Sequence, residues 1–524
     1  MMYNCTNTNS TVIHFLFGGK SVKTKKVTIN CKCIMRDFLR HWPIWTVSFL
    51  IYLFTVFMAN SIVFGFLDGD AKVVYVVRVI SDLISTETFM TFIMGIVGAW
   101  AAFGFFGKKR KHFFFETLPY NRISLFINRY IFGFLLCIVP CIMIFFVEIF
   151  HILAYTGHFE IVLLLKALIL AFIESFFWYS FGVMIFVVSG RIMMAGFCYF
   201  FFSLIGLALE FYLEICNNIF FIGYESGSGA GESLFGILSP VRYLFDIQVT
   251  LKLKYTEWAD FKDAFLSEGS DIKLIVAFIT GIILLFVAYF LYARRKAENT
   301  GDTVVFKGMK LVFSWISSFF GTITLSLIVY ALLFYHKNAI AHLISERIKL
   351  LILVGILGYI LYFISCMIVE KRFRVFKKNC MNALIFTAFM IIFSIGYMHD
   401  VFNIEGYVPD PLEVDYINMN DYDSGFGIYN TSDPTLNVSI RDAKTIQLFT
   451  ELHELVVDNF DSIEEIYTRS GFTDYGVERG NDYYHFNLNY KMNNGSSINR
   501  SYCIYKGSDL DKEIRERIER REKN

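Results

Sequence analysis

From Trp42 to Leu67 the chain carries no charged side chain. A helix needs about 20 consecutive apolar residues to cross the hydrocarbon core of a bilayer. Comparable stretches recur down the chain, so repeated crossings are expected. Inside hydrocarbon every backbone N–H and C=O must be satisfied internally, which restricts a crossing to a helix or a closed barrel. Unbroken apolar runs of this length select the helix. Composition agrees: 55% of residues are hydrophobic, 18% are charged and 59 are Phe. That mixture excludes an ordinary soluble globular chain.

About nine spans are expected, near 42–67, 88–107, 130–155, 161–189, 192–213, 272–293, 311–335, 350–369 and 383–399. Their orientation follows from the Lys/Arg bias of the connecting segments. With the N-terminus inside, the inside segments carry about 24 Lys and Arg and the outside segments about 9. An odd number of spans then places residues 400–524 outside. This tail is acidic: it holds 13 Lys+Arg against 24 Asp+Glu, whereas residues 1–399 hold 35 against 23. A basic membrane part and an acidic tail suggest different surroundings. Thr11–Gly19 is apolar but short and has no basic region before it, so the first span is expected to act as an uncleaved insertion signal.

The polar turn Glu298–Asp302 separates six spans from three more. The expected domains are 1–41, an inside segment with an interfacial helix; 42–298, a six-span core; 299–399, a three-span module; and 400–524, an outside domain. In the long loop 214–271, the apolar LFGILSPVRYLF is suited to a re-entrant or interfacial element. The tail reads as a small α+β domain. Val414–Met419 alternates like a strand, and Asp442–Val457 repeats apolar residues at helical spacing. Tyr483–Tyr490 and Ile498–Tyr505 flank an Asn-Gly turn as a β-hairpin. Asp509–Lys523 is a helix with opposite charges three and four residues apart.

The ten Cys form no disulfide framework. Cys31 and Cys33 lack the second half of a zinc site, and Cys216 and Cys503 are the pair that could both lie outside. Gly18-Gly19-Lys20-Ser21 lacks the earlier glycine of a phosphate-binding loop, His14 standing in its place. The tail shows no metalloprotease, nucleophile-elbow or calcium-loop pattern, and Asp421, Asp423 and Asp433 read as a solvated acidic face. The chain is therefore expected to be no enzyme and to hold no cofactor or metal.

Ionisable groups within spans point to function by default, because charge in hydrocarbon is costly. Glu148 and His151 lie three apart near the end of the third span. Lys166 and Glu174, eight apart, share a helical face of the fourth. One reading is a proton or ion pathway. The other leaves Glu148, His151 and Lys166 at the interface and only Glu174 deep, held by a neighbouring hydroxyl.

Residues 108–122, KKRKHFFFETLPYNR, fall between the second and third spans on the inside. A basic run alone would touch anionic lipid. Phe113, Phe114, Phe115, Glu116, Leu118, Pro119 and Arg122 add a short amphipathic element with a proline near a helix start. Such an element is suited to a groove on a soluble partner.

FFFETLPYNRISLFINRYIFG resembles the first coupling loop of type-2 ABC exporter permeases, in which an acid, a Leu-Pro or Thr-Pro step and an Arg precede the third span. The six-span core with a long outer loop before the sixth span is similar to that fold, and LSPVRYL (238–244) falls where the family has its outer re-entrant helices. Tyr292, Arg295, Glu298 and Gly301 resemble a motif after the sixth span in the large Ytr-like permeases of Gram-positive bacteria. That group adds further spans and an extracellular C-terminal domain, whose elements IQLFTELHELV and YKMNNGSSINRSYCIY resemble.

The resemblance implies a plasma-membrane permease subunit that works with a second copy or a related permease and with cytoplasmic ABC ATPases carrying ATP and Mg. Lipid surrounds it, and no nucleic acid is involved. The coupling loops would be 108–122 and Ser189–Arg191. The implied cargo is amphipathic or peptide-like, with antimicrobial agents a natural class. The alternative is a sensor or mechanical transmitter, whose outer domain engages a ligand or cell-wall protein while nothing crosses.

Overall fold

The computed structural model describes residues 29–64, 72–117, 121–156, 161–225, 239–245, 249–251, 264–266, 270–295, 301–334, 344–401, 403–420, 437–460, 483–493 and 496–522. Leu118, Pro119, Glu298 and the acidic Asp421, Asp423 and Asp433 lie outside the described residues, as does the Gly18–Ser21 stretch. Among the described residues eight helices are long and apolar enough to cross a membrane. The pair Cys31–Arg40 and Trp42–Met58, bent by 61°, makes a ninth if counted as one span. The chain is a multi-pass helical membrane protein.

Contacts divide it into two units, Met1–Leu204 with Ser239–Lys310, and Ile205–Leu238 with Leu311–Asn524. The division falls inside the fifth expected span and, past the polar turn after the sixth, between Lys310 and Leu311.

The first unit contains α1 (Cys31–Arg40), α2 (Trp42–Phe64), α3 (Lys72–Phe103), α4 (Lys109–Glu116), α5 (Arg122–Thr156), α6 (Ile161–Val188), the start of α7 (Ile192–Phe220), the short α8 (Pro240–Phe245), strands β1 (Val249–Leu251) and β2 (Ala264–Leu266), and α9 (Ser270–Arg294). Helix α6 packs along α3 and α9, and α5 packs against α2 and α3. Small residues let these backbones approach, as is usual where lipid removes the hydrophobic drive for helix association. A Cβ on Gly182 of α6 would stand 2.8 Å from the Gly95 carbonyl of α3. The α3 helix starts well before residue 88, and its apolar segment runs Val79–Gly107 with its terminal 3-10 turn. The charged positions Asp82 and Glu87, which mark a loop in the sequence pattern, are carried on this helix. Of the long loop, LSPVRYLF supplies α8, where the Ser239 hydroxyl donates to the Ser203 carbonyl at 3.1 Å and Leu244 is buried.

The second unit contains the rest of α7, α10 (Lys307–Phe334, from Leu311), α11 (Ile344–Glu370), α12 (Phe376–Met398) and the C-terminal domain. In the last, β3 (Val414–Asn420), β4 (Asn437–Ile440), β5 (Tyr483–Met492) and β6 (Ser497–Tyr505) form one antiparallel sheet in the order β4-β3-β5-β6. Helices α13 (Ala443–Asp458) and α14 (Asp509–Glu522) pack with it around Phe449, Leu452, Phe486, Leu488 and Ile514. Asp442 caps α13, accepting from the Thr445 N–H at 3.0 Å, a contact that satisfies one orphan donor of the first turn. The expected ion pairs of α14 are present, among them Arg515 with Asp511 at 2.7 Å. Cys216 and Cys503 are separate free thiols.

The segment after α7 joins the sheet domain to the helices of this unit. Ile222 belongs to the sheet-domain core, while Phe220 and Phe221 belong to the α11–α12 core. Ser501 N–H donates to the Gly223 carbonyl at 2.9 Å, and Tyr224 forms an antiparallel bridge with Arg500 of β6.

Candidate functional site

Two arrangements of buried charge stand out in the first unit. One is a basic knot built from residues 108–117, Arg122, the Ser189–Arg191 loop, Tyr292–Arg295 and Gly301. The other is a group of carboxyls inside the helix bundle.

In the knot, α4 contains the basic run itself and ends at Glu116, before Pro119. The helix therefore starts earlier than the expected Phe113–Arg122 element, because Lys109–Lys111 form its solvent-facing first turn. His112 and Phe115, three apart, share its inward face. His112 is buried with its ring 5.1 Å from Phe106, and Phe115 lies 4.4 Å from Phe105 with the Arg129 guanidinium 4.6 Å above it. Arg129 also pairs with Asp37 of α1 at 3.3 Å. Phe113 and Phe114 point the other way, 51% and 61% exposed. Burial, with the Arg295 and Arg122 cations, pulls the His112 imidazole down to about 4. It is neutral at physiological pH. Arg122 donates to the Ala293 carbonyl at 3.2 Å, tying the start of α5 to the end of α9.

Arg295 organises the rest. It is 2% exposed, and one terminal nitrogen donates to the carbonyls of Phe186, at 3.1 Å, Val187 and Ser189, at 3.0 Å. Those are orphan carbonyls at the C-terminus of α6, where a cation also meets the negative end of the helix dipole. Its guanidinium lies 4.1 Å from the Phe106 ring centroid. Tyr292 is buried against Phe106 and Phe126, at 5.9 and 5.3 Å. Gly301 then runs antiparallel to the Ser189–Arg191 loop: its N–H donates to the Gly190 carbonyl at 3.0 Å, and its own carbonyl accepts from Arg191 Nε at 3.0 Å. Gly301 has φ +99°, and a Cβ on Gly190 would stand 2.2 Å from the Asp302 carbonyl oxygen. Glycine is required at both for steric reasons. Arg295 and Gly301 thus fasten the end of α6 and its following loop, while Tyr292 packs against Phe106 and Phe126.

The intramembrane residues are distributed otherwise than the pattern suggests. Glu174 is fully buried in α6 and accepts from the Thr88 and Thr91 hydroxyls of α3 at 3.0 and 3.3 Å. Lys166 is exposed, so the shared helical face does not bring the two together. Glu148 is 2% exposed, contrary to an interfacial position, and its carboxylate lies 3.3 Å from His151 Nδ1, which is half-buried. Close helix packing accounts for the difference: α5 turns this face toward α2 and α3, not toward lipid.

Glu87 is the group that the sequence reading passes over. It is fully buried in α3, and Glu174 and Glu148 are its electrostatic neighbours. The available signal was the apolar run upstream of residue 88, interrupted by charges at helical spacing. Among the described residues no three His, Cys, Asp or Glu are arranged to hold a metal ion. No family model, no curated protein and no solved structure matches this chain.

Proposed function

We propose that the chain is the transmembrane permease subunit of an ATP-driven exporter of the ABC type, moving an amphipathic or peptide-like cargo, antimicrobial agents included, out of the cell. The N-terminus and the basic knot face the cytoplasm of a plasma-membrane protein in this reading, and the C-terminal domain lies outside. ATP and Mg belong to separate ATPase subunits, and a second copy or a related permease completes the translocation path. The observation that carries the reading is the geometry of α4. His112 and Phe115 bind it to the spans, while Phe113 and Phe114 remain exposed beside exposed Lys109, Arg110 and Lys111. A short helix anchored on one face and apolar on the other can receive a push from a soluble partner and pass it to α5 and α6. The resemblance of FFFETLPYNR to coupling loops supports that use.

The test is purification of the tagged full chain from its native membranes in mild detergent, with mass spectrometry of what accompanies it, beside the Phe113→Ser/Phe114→Ser variant. A Walker-motif ATPase is expected with the wild type and not with the variant. Failure to recover any such ATPase, even after crosslinking, removes the reading.

A second reading is favoured by one feature. The Phe220–Tyr224 segment belongs to both the C-terminal domain and the helices of the second unit, so that domain is built in, not tethered. This suits a sensor or mechanical transmitter. ATP-dependent cargo movement in reconstituted vesicles separates the two: transport supports the exporter, and ATPase association without transport supports the sensor.

A further inference from the structure

Glu87 sits between Leu83 and Met90 on one face of α3, and both of those residues belong to a packed cluster with Tyr52 of α2 and Cys141 of α5. Neither carboxyl oxygen of Glu87 has a hydrogen-bond partner among the described residues. The Tyr52 hydroxyl, in the same cluster and 1% exposed, also has none among them. The titratable groups around Glu87 come from every helix packed here: Glu174 from α6, Glu148 and Cys141 from α5, and Tyr52 from α2. All are acids. Among the described side chains, His151 lies beside Glu148 and Lys166 is at the exposed surface.

Buried carboxyls at such close quarters cannot all be ionised, since an uncompensated buried charge costs several kcal/mol. The hydrogen bonds distinguish two of them. Glu174 has the Thr88 and Thr91 hydroxyls as hydrogen-bond partners at 3.0 and 3.3 Å, and each hydroxyl is also within reach of a backbone carbonyl of α3. Glu87 has no such donor among the described residues. A metal ion would need a set of ligands that the described residues do not form. A proton needs none.

We propose that Glu87 is a proton-binding site inside the membrane bundle, carrying a proton at neutral pH with the Glu174 and Glu148 carboxyls as its neighbours. The proton can exchange only when α2, α3, α5 and α6 part, so its uptake and release report on any rearrangement of this bundle. The inference stands independently of the exporter reading.

The experiment is infrared spectroscopy of the purified full chain in lipid nanodiscs, with carboxyl-¹³C glutamate, in H2O and D2O at neutral pH. The wild type should show a protonated-carboxyl C=O band that shifts with both isotopes. Glu87→Gln should remove the Glu87 component of it, and Glu148→Gln should leave that component in place. Should Glu87→Gln fail to fold, Glu87→Asp is expected to remove that component from the labelled glutamate set. A band unchanged by both Glu87 substitutions overturns the proposal. So does a wild type with only carboxylate bands, including the case where those bands move when sodium is exchanged for choline, which would make the site one for a metal cation.

Discussion

The basic knot and the carboxyl group in the bundle both bury charge in the same unit, and they do it in opposite ways. Around Arg295 three backbone carbonyls, a helix C-terminus and an aromatic face meet one cation. Around Glu87 two further carboxyls meet a third, and its oxygens find no donor among the described residues. A caged charge belongs to the architecture, because removing it orphans what it satisfies. An uncaged one is tolerated only if something small neutralises it, and that something can come and go. The difference separates a structural lock from a candidate site, although the two residues are equally hidden from solvent.

The largest expected effect breaks the lock. Arg295→Ala would leave the end of α6 with unsatisfied carbonyls, at a cost of about 3–5 kcal/mol by analogy with breaking a buried charged contact. The expected result is loss of a monodisperse peak in size-exclusion chromatography, or a sharply lower melting temperature. Arg295→Lys should fall between, since an ammonium keeps the charge at the helix end but not the planar guanidinium packed on the Phe106 ring. A silent Arg295→Ala would mean that the contrast between the two regions is wrong.

The next effect sharpens the contrast from the bundle side. Replacing Thr88 and Thr91 together by Val keeps the shape and removes both donors to Glu174. Hydrogen bonds contribute about 0.5–1.5 kcal/mol net each and orphaned buried groups cost more, so a stability loss of about 1–3 kcal/mol is expected. Glu87→Gln should cost much less, because an amide substitutes for a protonated carboxyl in size and shape. Equal losses at the two positions would remove the distinction between held and unheld carboxyls.

A third effect is visible in pH. The buried His112 imidazole titrates at about 4 in the folded knot, against about 6.5 in an unfolded chain. Only the unfolded chain binds the proton as pH falls from 6.5, so the stability of the folded state declines there and levels off below 4. The full loss is on the order of 3 kcal/mol. His112→Phe should flatten that slope in melting measurements between pH 7 and 4. In the C-terminal domain, burial and Arg500 hold His453 down at about 3, between the Tyr502 hydroxyl at 2.9 Å and the Tyr490 hydroxyl at 3.2 Å. It would add a second decline over the same range, so the difference between wild type and His112→Phe is the quantity to read.

The sequence made most of the architecture visible because spans and strands write themselves as periodic runs. Tyr483–Met492 and Ser497–Tyr505 pair as the Asn-Gly turn between two alternating segments implies. Asp442 caps its helix where the apolar repeat begins. What could not be read is where a charge faces. Lys166 and Glu174 obey helical spacing, yet one meets the surroundings and the other a neighbouring helix, and only the packing of α3 on α6 decides that. Glu87 was lost for the same reason: a charge within an apolar run looks like the run's end unless its partners are known. Of the residues singled out by resemblance, Arg295 and Gly301 meet the end of α6 and the loop after it, and Tyr292 packs on Phe106 and Phe126.

The smallest effect on stability is the one that bears most on function. Phe113 and Phe114 are exposed on α4, and Ser has nearly the helix propensity of Phe. The double substitution to Ser should therefore change stability by no more than about 0.5 kcal/mol, as for exposed positions generally. Phe115, on the opposite face beneath Arg129, should behave differently. Phe115→Ser removes a ring packed against Phe105 and the guanidinium, and should lower the melting temperature clearly. If α4 is a docking helix, the Phe113/Phe114 variant keeps its melting curve and loses its ATPase, while Phe115→Ser loses stability first. If both variants keep every partner, the exposed phenylalanines are lipid-facing, and the knot is a lock without a key.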